Sequence, residues 1–262
     1  MKGLLAAFLL VLAAPAKGAE IAIALTEEVV EVNASFSGAE LVLFGALAGA
    51  EAMSPETRAQ YDIVAVVRGP AINFRLIPML REQIVWTTGP AILVAGAPGI
   101  LLTASTRPLD EATTPALRRA LHLDANALDV APLIKTTNAR AAAIVDARGP
   151  AVLGAAFLDA ARSAGLIKET ANAVSFKKGS LFSIDIELPP TTPVGEYVVD
   201  IYLLRDGALV SEDSARLSVN KVGIERGVYE LAHARPIAYG IGCVAISLAA
   251  GWLAAAAFRK SG

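Results

Sequence analysis

Leu181-Phe182-Ser183-Ile184-Asp185-Ile186-Glu187-Leu188, Pro189-Pro190-Thr191-Thr192-Pro193-Val194-Gly195 and Tyr197-Val198-Val199-Asp200-Ile201-Tyr202-Leu203-Leu204 are the stretches that decide the fold. Phe182, Ile184, Ile186 and Leu188 alternate with other residues, the period-2 pattern of a strand with one buried face. Prolines fix their own backbone and restrain the residue before them, so 189–195 reads as a rigid loop. Asp206-Gly207 then predicts a tight hairpin, with a return strand through Leu209-Val210 to Arg216-Leu217-Ser218-Val219.

Toward the amino terminus the same language recurs. Ile21 to Leu25, Val29 to Phe36 and Glu40 to Gly45 are strand-like, with Ser37-Gly38 as a turn. Tyr61 to Val67 stops at Arg68-Gly69-Pro70; Ala71 to Arg75, Glu82 to Thr87 and Gly99 to Ser105 follow. Short strands cut by Gly and Pro predict a sandwich or small barrel. The closing strands resemble those of immunoglobulin-like extracytoplasmic modules, a likeness of architecture alone. The expected fold class is mainly β: an immunoglobulin-like β-sandwich with a helical insert and one carboxy-terminal transmembrane helix.

The insert is expected over 109–170, between a β-rich part (19–108) and the closing strands (171–220). Leu109 to Leu121 reads as helical, with Thr114 as cap and Pro115 in the first turn. Pro150 to Ala164 is a second helix stopped by Gly165. Asp124 to Arg148 carries no element assignment.

The two ends concern a membrane. Met1-Lys2-Gly3 and the apolar run Leu4 to Ala14 have the make-up of a secretory signal, with cleavage expected after Gly18. From Ile237 to Phe258 no residue is charged, and at 1.5 Å per residue such a helix covers about 33 Å, enough for the roughly 30 Å hydrocarbon core. A transmembrane helix is expected over 236–258, with Arg259-Lys260-Ser261-Gly262 as a cytoplasmic stub and a short amphipathic helix over 221–235 at the headgroups. The bulk of the chain then lies outside the cytoplasm. Cys243, the single cysteine, falls in the membrane run, so the exported part cannot form a disulfide. With 23 basic and 25 acidic residues interspersed, no nucleic-acid-binding face is expected.

Catalytic chemistry finds little to work with. His122 and His233 are the only histidines, too few and too far apart for a zinc or copper ligand set, and no serine lies in a nucleophile elbow. Asp185 and Glu187 share one strand face, but alternation with Ile184 and Ile186 makes that a solvated face. No catalytic residue, metal or cofactor is expected. Arg68-Gly69-Pro70 and Arg148-Gly149-Pro150 repeat a tripeptide that usually means a stop and a turn; Arg68 and Arg148 are weak candidate anion contacts, as are Arg75 and Arg81. In the membrane run, Gly240, Ser247 and Gly251 offer a small-residue face for a partner helix.

Lys221-Val222-Gly223-Ile224-Glu225-Arg226, Ala232-His233, Tyr239-Gly240, Gly251-Trp252-Leu253 and Phe258-Arg259-Lys260 carry a family resemblance, together with Val66 to Pro70, Phe36 to Ala39 and Pro193 to Tyr197. They resemble the alphaproteobacterial putative transmembrane protein family, over nearly the whole mature chain. That family has no known function. The resemblance implies a signal, a periplasmic region and one carboxy-terminal helix in the inner membrane, in single-pass type I orientation. Neighbouring genes for sulfite-exporter-type transporters imply an accessory role beside an inner-membrane protein partner. The expected function is therefore a non-enzymatic interaction subunit anchored in the lipid bilayer. The rival is a periplasmic module that binds a small molecule or anion between sandwich and insert.

Overall fold

The computed structural model describes residues 20–33, 36–48, 56, 59–82, 84–177, 180–221, 232–233 and 236–259. The expected signal peptide, most of the expected juxtamembrane helix and residues 260–262 of the stub lie outside them.

In chain order, β1 (Glu20–Leu25), β2 (Val29–Val32) and β3 (Ala39–Ala48) precede β4 (Tyr61–Arg68). β5 (Ala71–Leu76), β6 (Met79–Glu82), β7 (Val85–Thr88) and β8 (Ile92–Pro98) form an excursion before β9 (Leu101–Ser105). Helices α1 (Leu109–Ala112) and α2 (Pro115–Ala120), strand β10 (Ile134–Thr136), and helices α3 (Ala139–Arg148) and α4 (Pro150–Ser163) follow. β11 (Ile167–Thr170), β12 (Val174–Phe176), β13 (Leu181–Leu188), β14 (Gly195–Arg205) and β15 (Ala208–Lys221) complete the β region, and α5 runs Pro236–Arg259.

Two sheets face each other: β1-β3-β13-β12 and β11-β9-β4-β14-β15-β2. Side chains alternate across a strand, and the sequence of β4 uses both sides. Ile63, Ala65 and Val67 join Phe182, Ile184, Ile186, Tyr197, Val199 and Ile201 in the inter-sheet core. Val64 and Val66 point the other way, onto Leu109, Leu123 and Ala161 of the helical layer. The one charge inside β4, Asp62, is buried and held by Arg107 through two hydrogen bonds of 2.7 and 2.6 Å, the paired geometry that makes a buried carboxylate tolerable.

The closing strands form as their pattern predicts. β14 and β15 pair antiparallel across Asp206-Gly207, whose φ values of 51° and 75° suit a primed hairpin turn. At the foot of β14 the Tyr197 hydroxyl donates to the Pro193 carbonyl at 2.5 Å, anchoring the proline loop as a tyrosine corner does in β-sandwiches. Burial pushes the titration of Tyr197 well above the ordinary tyrosine range.

Three expectations need correction. Glu82 to Thr87 is not one strand: β6 and β7 form a hairpin, with Arg81 opposite Trp86. The 109–170 segment is not purely helical, because β10 joins a small sheet with β8 and β5, and β11 pairs parallel with β9 at the edge of the large sheet. Helix α3 falls in the stretch given no element; Asn138 caps it by accepting from the Ala141 amide at 2.8 Å. Thr114, Pro115 and Gly165 do serve as expected: Thr114 accepts from the Leu117 amide, and Gly165 takes φ 73° past the end of α4.

Among the described residues no single helix is long and apolar enough to cross a membrane. α5 has 24 residues, but its described side chains give an apolar segment of only Tyr239–Trp252. α3 and α4, which meet at 94°, match a broken span together by length and composition. Their apolar sides are nevertheless spent on protein: Ala141 and Leu153 pack with Ile92, and Phe157 with Val94 and Ala97. The pair also carries Arg140, Asp146, Arg148, Asp159 and Arg162.

Gly45 in β3 faces Phe182 in β13. A Cβ on Gly45 would lie 2.1 Å from the Phe182 ring, so the ring occupies the space a side chain would need. Gly45→Ala is expected to lower stability by about 1–3 kcal/mol through overpacking, measured by denaturant unfolding, with partial recovery when Phe182→Leu is added.

Candidate functional site

Arg68 ends β4 and reaches two elements distant in sequence. Its guanidinium pairs with Asp200 of β14 and donates to the Leu121 carbonyl at the end of α2. A cation there also favours the carbonyl end of the helix. Thr103 of β9 donates to the Leu123 carbonyl at 2.6 Å, so the turn after α2 is fastened to the sheet at two points. Asp200 is partly buried; desolvation pushes its carboxyl above the usual range, and Arg68 pulls it partly back.

His122 sits inside that turn with φ 48°. The Leu123 amide donates to the Arg118 carbonyl at 3.0 Å and the His122 amide to Arg119 at 3.4 Å, the two bonds of a Schellman ending. His122 therefore stands in the left-handed position that glycine usually fills. Its side chain is exposed.

Arg148 lies elsewhere, exposed in the last turn of α3, before Gly149 (φ 81°) turns the chain into α4. The repeated tripeptides are thus a strand end and a helix end. Arg75 and Arg81 are exposed on β5 and β6. Among the described residues nothing lies within 4 Å of a Cβ added at Gly240 or Gly251; Ser247 donates to the Cys243 carbonyl of its own helix at 2.8 Å.

A groove runs where the two main sheets part. β12 pairs with β13 only through Ile184, leaving the 185–187 edge open beside β9 and β11. The cavity there, of about 140 Å³, is lined by Glu40, Thr103, Lys168, Thr170, Asp185 and Glu187, among others. Asp185 and Glu187 are exposed while Ile184 and Ile186 are buried, as alternation predicts. Glu187 stands directly opposite Glu40 across the strand pair, a repulsive placement. Lys168 relieves it by an ion pair of 2.9 Å, which holds the Glu187 carboxyl below its ordinary range. Three carboxylates against one ammonium make this groove a poor host for an anion. Among the described residues no three His, Cys, Asp or Glu side chains gather as metal ligands.

Sequence reasoning missed the roles of Asp200 and Lys168, whose partners lie 132 and 19 residues away. Only the strand register brings them together.

Arg68→Met is expected to destabilise by about 1–3 kcal/mol at pH 7, since it strands a half-buried carboxylate and a helix-end carbonyl. With Arg68 gone, Asp200 rises further. A carboxyl raised in the folded state has its full stability contribution below the unfolded pKa and loses it as pH rises through the folded value. The penalty should therefore be larger at pH 7 than at pH 4, read from unfolding curves at both. His122→Gly should raise stability by about 0.5–1 kcal/mol by relieving the left-handed backbone.

Comparison with curated proteins yields no match. The crystal structure of Spo0M, a sporulation control protein from Bacillus subtilis, aligns at 12% identity with a TM-score of 0.27, covering 83% of this chain. The chain spans 55% of the length of that protein, and a likeness this slight carries no argument about fold. The model of the alphaproteobacterial family described as "Putative transmembrane protein (Alph_Pro_TM)" matches residues 20–260, nearly the whole sequence, and the chain belongs to that family.

Proposed function

We propose that this protein is a non-enzymatic interaction subunit, held at the periplasmic face of the inner membrane by α5 in type I orientation. The observation that carries the reading is the character of α5. Ile237, Ile241, Val244, Ile246, Leu248 and Trp252 are all exposed, so among the described residues this apolar helix has no protein surface to cover it. A helix that is hydrophobic all round belongs in lipid or against other helices. The sequence continues uncharged from Ile237 to Phe258, and this reading takes that run, about 33 Å long as a helix, as the crossing of a roughly 30 Å hydrocarbon core.

The immunoglobulin-like reading is supported by strand order. The sheet β1-β3-β13-β12 follows the A-B-E-D order, and β15-β14-β4-β9 follows G-F-C-C′. In this assignment the excursion β5–β8 and the helical layer are insertions in a common adhesive scaffold. The partner we favour is a polytopic inner-membrane protein, of which a sulfite-exporter-type transporter is the leading case. The side of α5 at Gly240 and Gly251 is the contact we favour, because small residues let helix backbones approach closely.

The binding-module alternative has less support, since the sign of charge in the inter-sheet groove opposes an anion. A photoreactive residue at Gly251 in intact cells is expected to capture one dominant polytopic protein, and Gly240→Ile is expected to abolish that capture. Recovery of lipid adducts alone would overturn the partner assignment.

A further inference from the structure

The hairpin β6–β7 carries an apolar surface that none of the described residues covers. Ile84 is 88% exposed, Val85 64%, Trp86 62% and Met79 53%. The hairpin is formed, not frayed: four residue pairs join β6 and β7, and the Gly89 amide closes its base on the Pro78 carbonyl at 2.8 Å. Pairing puts Met79, Arg81, Trp86 and Thr88 on one face, all exposed; on the other, Leu80 and Thr87 are half-buried and Val85, nearer the tip, is exposed. Isolated exposed apolar residues are ordinary; a contiguous group at a hairpin tip marks a contact surface.

Strand register places this hairpin at a particular end of the sandwich. Arg68, the last residue of β4, lies opposite Val198 near the start of β14, far from the Asp206-Gly207 turn. Val219, near the end of β15, lies opposite Gly195. β4 and β15 thus finish at one end, and β9 begins there, with Leu101 opposite Arg68. The whole excursion from Ala71 to Pro98 hangs from that end. It is also the end from which the chain leaves toward α5, with only residues 222–235 between. At roughly 3.3 Å per residue that tether reaches at most about 46 Å.

Charge agrees with the placement. Between Ala71 and Ile100 the only charged residues are Arg75, Arg81 and Glu82, a net positive stretch. Arg81 lies directly across from Trp86. Tryptophan beside arginine suits the headgroup layer, where the ring meets acyl chains and the guanidinium meets phosphate.

From this we infer that the β6–β7 hairpin inserts Ile84, Val85 and Trp86 into the outer leaflet of the membrane that α5 enters, with Arg81 on lipid phosphate. The inference rests on the reading of α5 as the anchor. It makes the hairpin a second, peripheral attachment that fixes how the sandwich stands on the bilayer.

The chain has two tryptophans, Trp86 and Trp252, one for each claim. The full-length protein is reconstituted in vesicles of phosphatidylethanolamine and phosphatidylglycerol with brominated acyl chains. In Trp252→Phe, emission from Trp86 is expected at shorter wavelength than in water and quenched by bromine near the headgroups. Adding Ile84→Asp and Val85→Asp, both at exposed positions, should restore unquenched, water-like emission. In Trp86→Phe, quenching of Trp252 reports the anchor. Trp252 quenched with Trp86 unquenched overturns the hairpin insertion and leaves the anchor standing, as a protein occupant of the hairpin would require. Neither residue quenched overturns both.

Discussion

The pairing of β4 with β14 sets the position of every other layer. β4 is buried on both faces from Tyr61 to Val67, and β14 from Ile201 to Leu204. Ile63, Val67, Val199 and Leu203 face the four-stranded sheet, and Val64, Val66, Tyr202 and Leu204 face the helices. Burying a full aliphatic or aromatic side chain contributes about 1.5–3 kcal/mol, so a ladder of eight such residues outweighs any single polar contact in the molecule. The polar contacts act at the rims of this ladder, where Asp62–Arg107 and Asp200–Arg68 close its two ends. Each tethers an added layer: Arg107 follows β9 on the way to α1, and Arg68 holds the end of α2.

What the sequence made legible follows the range of the signal. Alternation in β13 and the Asp206-Gly207 turn are local, and the structure reproduces both. Thr114 and Gly165 are local caps and behave as such. Glu82 to Thr87 misled because the turn between β6 and β7 lacks the Asn-Gly or Asp-Gly pair that marks a two-residue hairpin. β11 was hidden for a different reason: Ile167-Lys168-Glu169-Thr170 is mostly polar and exposed, an edge strand held by parallel pairing with a neighbour far back in the chain. Edge strands need not alternate cleanly, and charge on them is protective. The Arg68–Asp200 pair could not be read at all, because a register shift of one residue would turn Asp200 to the other face. His122 shows the converse. A rare residue invites a functional reading, and the backbone shows it ending a helix.

The candidate sites divide by what already satisfies them. Arg68 is engaged on two sides, and the Lys168–Glu187 pair answers a repulsion within its own strand pair. Such groups hold the fold in place and have little left to offer a ligand. Among the described residues the most exposed large apolar side chains lie elsewhere, mainly along α5 and at the β6–β7 tip. Others, such as Phe44, Val152 and Leu181, are spread over the surface, but it is the two clusters that favour contact with lipid or protein. This is the physical ground for placing its function in attachment.

Three side chains at a hairpin tip would bind a membrane only weakly as a free domain, since association must first overcome lost translational and rotational freedom. Tethering changes that balance. Once α5 is in the bilayer, the hairpin meets the surface as part of the same molecule, so the second contact is intramolecular and escapes most of the entropic cost of association. A marginal contact then becomes a populated one without any larger apolar patch, which in a free domain would invite aggregation. The small size of the patch is therefore what an already anchored protein requires, and its location at the end where β15 leaves the sandwich is where such a patch has to be. Two attachments also constrain more than one: a single helix leaves the sandwich free to tilt and turn about its link, whereas a second contact removes most of that freedom and presents one side of the groove-bearing sheets to whatever stands beside it in the membrane.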